Sequence, residues 1–159
     1  MTEWGVFAAF GALIFLFVII GIALYILSAL GLYTMAKRRN MEYAWLAWIP
    51  VAQVYILGEI IGPKKFGDFE VPQPGLYLLG GLLALWVLSR LPAIGFIFSL
   101  AITVVSIGAL YYLFRSYTTE NTPVIYTILS VVTFGFLAPI FVFMVRNNEY
   151  NADEDSLAV

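Results

Sequence analysis

The chain has no cysteine and no histidine, and only 11% of its 159 residues are charged. Without cysteine there are no disulfide staples and no thiolate chemistry, and without either residue the usual zinc ligand sets are missing. Histidine's absence also removes the commonest general base near neutral pH. The net charge of −2 leaves no broad basic surface for nucleic acid. Aspartate occurs only as Asp68, Asp153 and Asp155, so a paired intramembrane aspartate site is impossible. No H-E-x-x-H, G-x-S-x-G or P-loop pattern occurs. These absences point to a non-enzyme with no metal site and no cofactor.

What fills the chain instead is apolar: 62% of the residues are hydrophobic. A soluble domain carries about 25% charged residues, and a short water-soluble fold cannot absorb such an apolar excess. The bilayer is then the natural solvent and partner, because it accepts helices that are apolar on every face. The predicted class is all-α, a polytopic integral membrane helical bundle of five hydrophobic helices. The apolar segments run over about 4–36, 44–61, 75–89, 93–114 and 123–145. Residues 1–146 form one transmembrane domain, and 147–159 form a flexible acidic tail carrying Glu149, Asp153, Glu154 and Asp155.

The first segment has no charge from Trp4 to Ala36 and no basic residue before it. It is far longer than the ~7–15 residues of a signal-peptide core, so it reads as an uncleaved span. The second is short and contains Pro50, Gln53 and Glu59 before Gly62-Pro63. It either crosses the membrane or enters and leaves on one side. In the fifth, Pro123 suits the first helical turn and Pro139 should kink the interior.

Lysine and arginine favour the cytoplasmic side. Lys37, Arg38 and Arg39 follow the first segment and place the N-terminus outside. Five full spans put Lys37, Arg38, Arg39, Arg90 and Arg146 inside, and Lys64, Lys65 and Arg115 outside. Four spans plus a re-entrant second segment keep Lys37, Arg38 and Arg39 inside with Lys64, Lys65 and Arg115, and move Arg90 and Arg146 outside. Both arrangements stay open.

Glu59 is the one carboxylate inside an apolar segment. Such a group costs at least ~2.5 kcal/mol at the bilayer centre. With Gln53 and Tyr55 it is the candidate ion or proton site; the structural alternative is an interfacial Glu59 paired with Lys64 or Lys65. Lys37, Arg38, Arg39 and Arg90 read as topology signals and headgroup anchors. Gly95, Ser99, Thr103 and Ser106, and further on Ser130 and Thr133, recur at helical spacing and mark helix-packing faces.

The stretch Gly31-Leu-Tyr-Thr-Met-Ala-Lys-Arg-Arg39, followed by Ala44-Trp-Leu-Ala-Trp-Ile-Pro-Val-Ala-Gln-Val-Tyr55, carries a resemblance. So does Pro139-Ile-Phe-Val-Phe143 before Arg146-Asn147. The chain resembles a largely uncharacterised group of small multi-pass membrane proteins of bacteria, with a basic turn before Trp-x-Ala-x-Ile-Pro. It departs from that pattern in having Gln53 where asparagine is usual and Asn40 where glycine is frequent. The resemblance implies the bacterial plasma membrane and brings no activity with it. Two functions stay in view. One is a non-enzymatic protein acting through helix contacts, as an accessory, regulatory or immunity-type partner. The other is a small oligomeric transporter or channel using Glu59 in a Pro-interrupted helix. Either takes a second copy of the chain or another membrane protein as partner.

Overall fold

The structure, a computed structural model, describes residues 3–151. It is helical, with six α-helices: α1 (Glu3–Arg38), α2 (Pro50–Ile61), α3 (Pro74–Leu88), α4 (Gly95–Tyr117), α5 (Thr122–Val132) and α6 (Ala138–Val145). A 3-10 turn at Ala44–Trp48 precedes α2. Strands β1 (Lys64–Phe66) and β2 (Phe69–Val71) form an antiparallel hairpin between α2 and α3.

Proline sets the helix starts. Pro50, Pro74, Pro123 and Pro139 each occupy the first or second position of a helix, where the missing N–H costs nothing. The hairpin forms because Phe66 faces Phe69 across two residues, the first being Gly67 at φ 62°. Glycine meets the positive φ that such a tight turn demands.

The five-helix expectation is corrected in its detail. Two helices, α1 and α4, are long and apolar enough to cross a membrane. The second apolar segment is divided at Ile49, whose extended backbone joins the 3-10 turn to α2. The fifth is not a kinked helix but two helices. Phe134 at φ 51° and Gly135 at φ 87° reverse the chain ahead of Pro139. A proline ring clashes with the carbonyl four residues back, which here belongs to Gly135, so the helix stops before Pro139 and restarts around it. Thr133 bridges the break: its Oγ1 donates to the Leu129 carbonyl at 2.7 Å and accepts the Leu137 N–H at 3.3 Å.

Both divided segments begin and end at the same end of the bundle. Arg39, just past α1, donates to the carbonyls of Glu59 and Ile60 at the far end of α2. Between them the chain descends beside α1, where the Tyr25 hydroxyl donates to the Trp48 carbonyl. At ~1.5 Å per residue, fourteen residues of α1 place that contact about 21 Å below Arg39. Likewise α5 leaves from the end where α4 stops, and the Asn148 side chain past α6 donates back to the Tyr117 carbonyl at 2.8 Å. The C-terminal ends of α1, α2, α4 and α6 therefore converge. We call this the basic end. It gathers Lys37, Arg38, Arg39, Lys64, Lys65, Arg115 and Arg146, seven of the eight lysines and arginines; Arg90, past α3, lies at the other end.

The core sits in the basic half. It joins Leu32, Met35 and Ala36 of α1, Ile56 and Ile60 of α2, Leu113 and Phe114 of α4, and Phe141 and Val142 of α6. Phe114, Tyr126 and Phe141 pack as an aromatic cluster, Tyr126 and Phe141 stacked at 4.3 Å. The other half is open. α1 has no buried residue before Ala29, and a Cβ at Gly11 or Gly21 would meet nothing within 4 Å.

Candidate functional site

Four helix C-termini at one place create an electrostatic problem. Each leaves unpaired carbonyls and a partial negative charge. The basic end answers it with donors. The Arg39 guanidinium serves the last carbonyls of α2, with Glu59 O at 3.3 Å, and lies 4.2 Å from the Tyr150 ring centre. The Tyr117 hydroxyl donates to Ile60 O at 3.3 Å, and the Tyr150 hydroxyl to Ile61 O at 3.2 Å. Lys64 is only 2% exposed, with its Nζ 3.4 Å from Ser116 Oγ. The backbone N–H of Asn151 closes the end on the Ser116 carbonyl at 2.8 Å.

Of the basic run expected to anchor headgroups, only part faces outward. Lys37 and Arg38 are exposed, whereas Arg39 is turned inward and used up on backbone. Arg90 stacks on Trp86 at 4.5 Å at the opposite end. The tail expected over 147–159 begins as bound chain, because Asn148, Tyr150 and Asn151 hold the helix ends together. Residues 152–159 lie outside the described residues.

Glu59 and Gln53 stand on different faces of α2. Glu59 Oε1 accepts the N–H of Gly75 at 3.0 Å. Gly75 is the second residue of α3, and Gln73 at the cap position makes no side-chain cap bond. A carboxylate from the neighbouring helix thus caps α3, meeting both an orphan donor and the positive dipole end. Two glycines permit the approach. A Cβ on Gly58 would lie 2.6 Å from the Pro74 carbonyl oxygen, and one on Gly75 would lie 2.6 Å from Glu59 Oε1. Tyr55 sits one turn before Glu59, with its own carbonyl against Gly75.

Gln53 lines a different cavity, about 250 Å³, between the starting ends of α2 and α6, with Ser28 and Leu32 of α1 and Leu110 of α4 on its walls. Gln53 Nε2 is buried and has no hydrogen-bond partner among the described residues. The expected trio of Glu59, Gln53 and Tyr55 is therefore not one site. Six residues apart on α2, Gln53 and Glu59 diverge by helical period; only the fold shows what each one faces.

The small-residue faces also divide. Ser130 is buried in α5 and donates to Tyr126 O at 2.7 Å. Gly95 is buried because it packs under the Ser89 carbonyl in the turn before α4. Ser106 is half-buried, while Ser99 and Thr103 are exposed. All three hydroxyls bond the carbonyl four residues back. Packing between helices of this chain does not bury the Ser99–Thr103 face, because after Gly95 the next buried residue of α4 is Ala109, in its C-terminal half. No cluster of three His, Cys, Asp or Glu able to hold a metal exists among the described residues.

The arrangement defines a helical protein with two helices fit to cross a membrane and a donor-rich, cation-bearing end. No protein-family model matches the chain, and no curated protein and no solved structure matches it either.

Proposed function

We propose that the chain is an integral membrane protein of the bacterial plasma membrane that acts by contact rather than by catalysis, as an accessory, regulatory or immunity-type partner. In this reading α1, α3 and α4 cross the bilayer. The 3-10 turn with α2, and α5 with α6, dip in from the basic side and return to it. The distribution of charge supports this topology: seven cations fall on one side and Arg90 alone on the other. Basic residues favour the cytoplasm, so the N-terminus lies outside. The segment reversals pair backbone groups of their own, the Gly135 N–H donating to the Ser130 carbonyl at 2.7 Å and the Ile49 N–H to the Leu46 carbonyl at 3.0 Å, as backbone at depth requires.

One observation carries the contact reading. The first half of α1 packs on no other described part of the chain, and the helix is too long for the bilayer. Trp4 is 84% exposed, and Phe7, Phe10 and Ile14 are likewise uncovered. The apolar run from Trp4 to Ala36 is about 50 Å long at ~1.5 Å per residue. At a steep tilt of about 40° it still rises roughly 38 Å against a hydrocarbon layer of ~30 Å. Its outer end therefore leaves the hydrocarbon while still apolar, a surface suited to another protein.

The test is photo-crosslinking in intact cells, with a photoreactive residue at Phe7 or Phe10 and a control at Trp86. A discrete protein adduct at the α1 positions, whether a second copy or another membrane protein, is the expected result. Lipid adducts alone at both α1 positions would overturn the reading.

The transport alternative shifts its residue. Glu59 is engaged as a helix cap, whereas the unpaired Gln53 amide faces a cavity at two helix starts. Solute flux in proteoliposomes that is abolished by Gln53→Leu would favour it over the contact reading.

A further inference from the structure

Two helices start beside each other without a side-chain cap. The first N–H groups of a helix have no partner within it. At the cap positions of α2 and α6 stand Ile49 and Leu137, which make no side-chain cap bond. Pro50, Ala138 and Pro139, at the starts of these helices, line one cavity of about 250 Å³ together with Gln53 and Ser28. At ~1.5 Å per residue, the twelve residues of α2 set this place about 18 Å from the basic end. The carbonyls that arrive with the two starts are already taken. Leu46 O accepts the Ile49 N–H, and Trp48 O accepts the Tyr25 hydroxyl. At the end of α5 the carbonyls of Leu129, Ser130 and Val131 accept the N–H groups of Thr133, Gly135 and Phe134. Donors are therefore in surplus. The Gln53 amide nitrogen, buried with no partner among the described residues, adds one more. Among the described residues no charged side chain lines the cavity.

From this surplus we infer that the cavity binds one small monovalent anion, a halide or an ion of similar size, held by the Gln53 amide between the starts of α2 and α6. Charge sets the number. Each helix start carries about half a positive charge, so the two together balance about one negative charge. A divalent anion would keep a net charge in mostly apolar surroundings, where an unbalanced charge is strongly disfavoured. The wall, with Leu32, Leu57 and Leu110, likewise favours an ion that gives up water readily. At about 30 Å³ for each water, the cavity has room for a halide with part of its hydration. The inference goes beyond the contact reading and does not depend on it. It supplies the solute class that the transport alternative lacks.

The experiment uses the full chain, purified in a nonionic detergent with gluconate as the only small counter-anion. Chloride replaces gluconate at fixed ionic strength, and binding is read from the broadening of the chloride NMR line. Wild type should show saturable broadening that nitrate reverses and sulfate does not. Gln53→Leu removes the amide, and Ser28→Leu narrows the cavity from the α1 wall. Each should weaken binding roughly tenfold, the scale of one hydrogen bond to a charged group. Ser99→Leu, on the exposed start of α4, is the control and should bind like wild type. Without the anion the Gln53 bond stays unmade, so chloride should also raise the unfolding temperature of wild type and leave that of Gln53→Leu unchanged. Circular dichroism confirms that each variant is folded, and the two cavity variants are independent checks. Absence of saturable broadening in wild type, equal broadening in both cavity variants, or displacement by sulfate as readily as by nitrate would overturn the site. Because binding is measured without flux or a protein partner, its failure leaves the contact reading to be decided by the crosslinking experiment.

Discussion

Glu59 shows how one side chain changes meaning once its neighbour is known. An acidic residue in an apolar run reads as a functional group because desolvation makes it expensive. Here the cost is offset by the Gly75 N–H and the positive end of α3. Glu59→Ala should therefore destabilise the fold by about 1–2 kcal/mol, the usual worth of a cap, whereas Glu59→Gln keeps an acceptor and should cost less than half of that. Reversible denaturation in detergent measures both; equal losses would show that the carboxylate acts through something other than the cap. Gln53 gives the reverse case. Its amide nitrogen is buried without a partner among the described residues, and an unmade hydrogen bond costs about 1–3 kcal/mol. Gln53→Leu should raise stability by roughly 1 kcal/mol in the same assay. A loss instead would mean that the amide has a partner in the membrane, such as an ordered water or a solute. Gln53 was visible in the sequence as a polar residue in an apolar segment, but its isolation depends on α6 and α1 coming to the same place.

Among the helices, glycines with the same chemistry do different jobs. On α1, Gly11 and Gly21 have free space around them. Replacing either with alanine should stabilise α1 by about 0.5–1 kcal/mol through backbone entropy. Gly58→Ala should cost about 1–3 kcal/mol or more, because the new methyl meets α3 backbone that cannot swing aside. Matched unfolding curves for the three variants check the contrast, and a tolerated Gly58→Ala would show that α2 and α3 are less closely packed than described. Breaks were partly legible at this scale. Pro50 and Pro139 marked the second and fifth segments as interrupted, and the segment limits of α1, α3 and α4 were read to within a few residues. Reading Pro139 as a kink underestimated it. Phe134 and Gly135 at positive φ turn the chain completely, and Phe134, at 96% exposed, shows that no core holds the tip. A left-handed phenylalanine has no sequence signature; Gly135 four residues before a proline is the signal that was there to be used.

For the whole molecule, topology turns on which ends share a side. The chain has no native cysteine, so single cysteines can report topology without background. Asp68→Cys in the hairpin and Thr119→Cys between α4 and α5 should react with an impermeant maleimide only after the cells are permeabilised. Leu91→Cys, in the turn between α3 and α4, should react in intact cells. Labelling of Asp68→Cys in intact cells would restore a full span at the second segment and discard the paired re-entrant topology. The two topologies weighed from the sequence divided the charges five to three and six to two. Neither included a second dipping segment, because counting spans assumes that each long apolar run is one helix.

The sequence by itself determined the helical class, the long apolar runs of α1 and α4 and the helix start at Pro123. Those follow from composition and local backbone sterics, which act within a few residues. The tertiary structure decided that four helix C-termini meet at one basic end, that Glu59 caps α3, and that Gln53 stands apart. Each of these depends on residues far apart in the chain arriving at one place, and no local preference encodes that arrival.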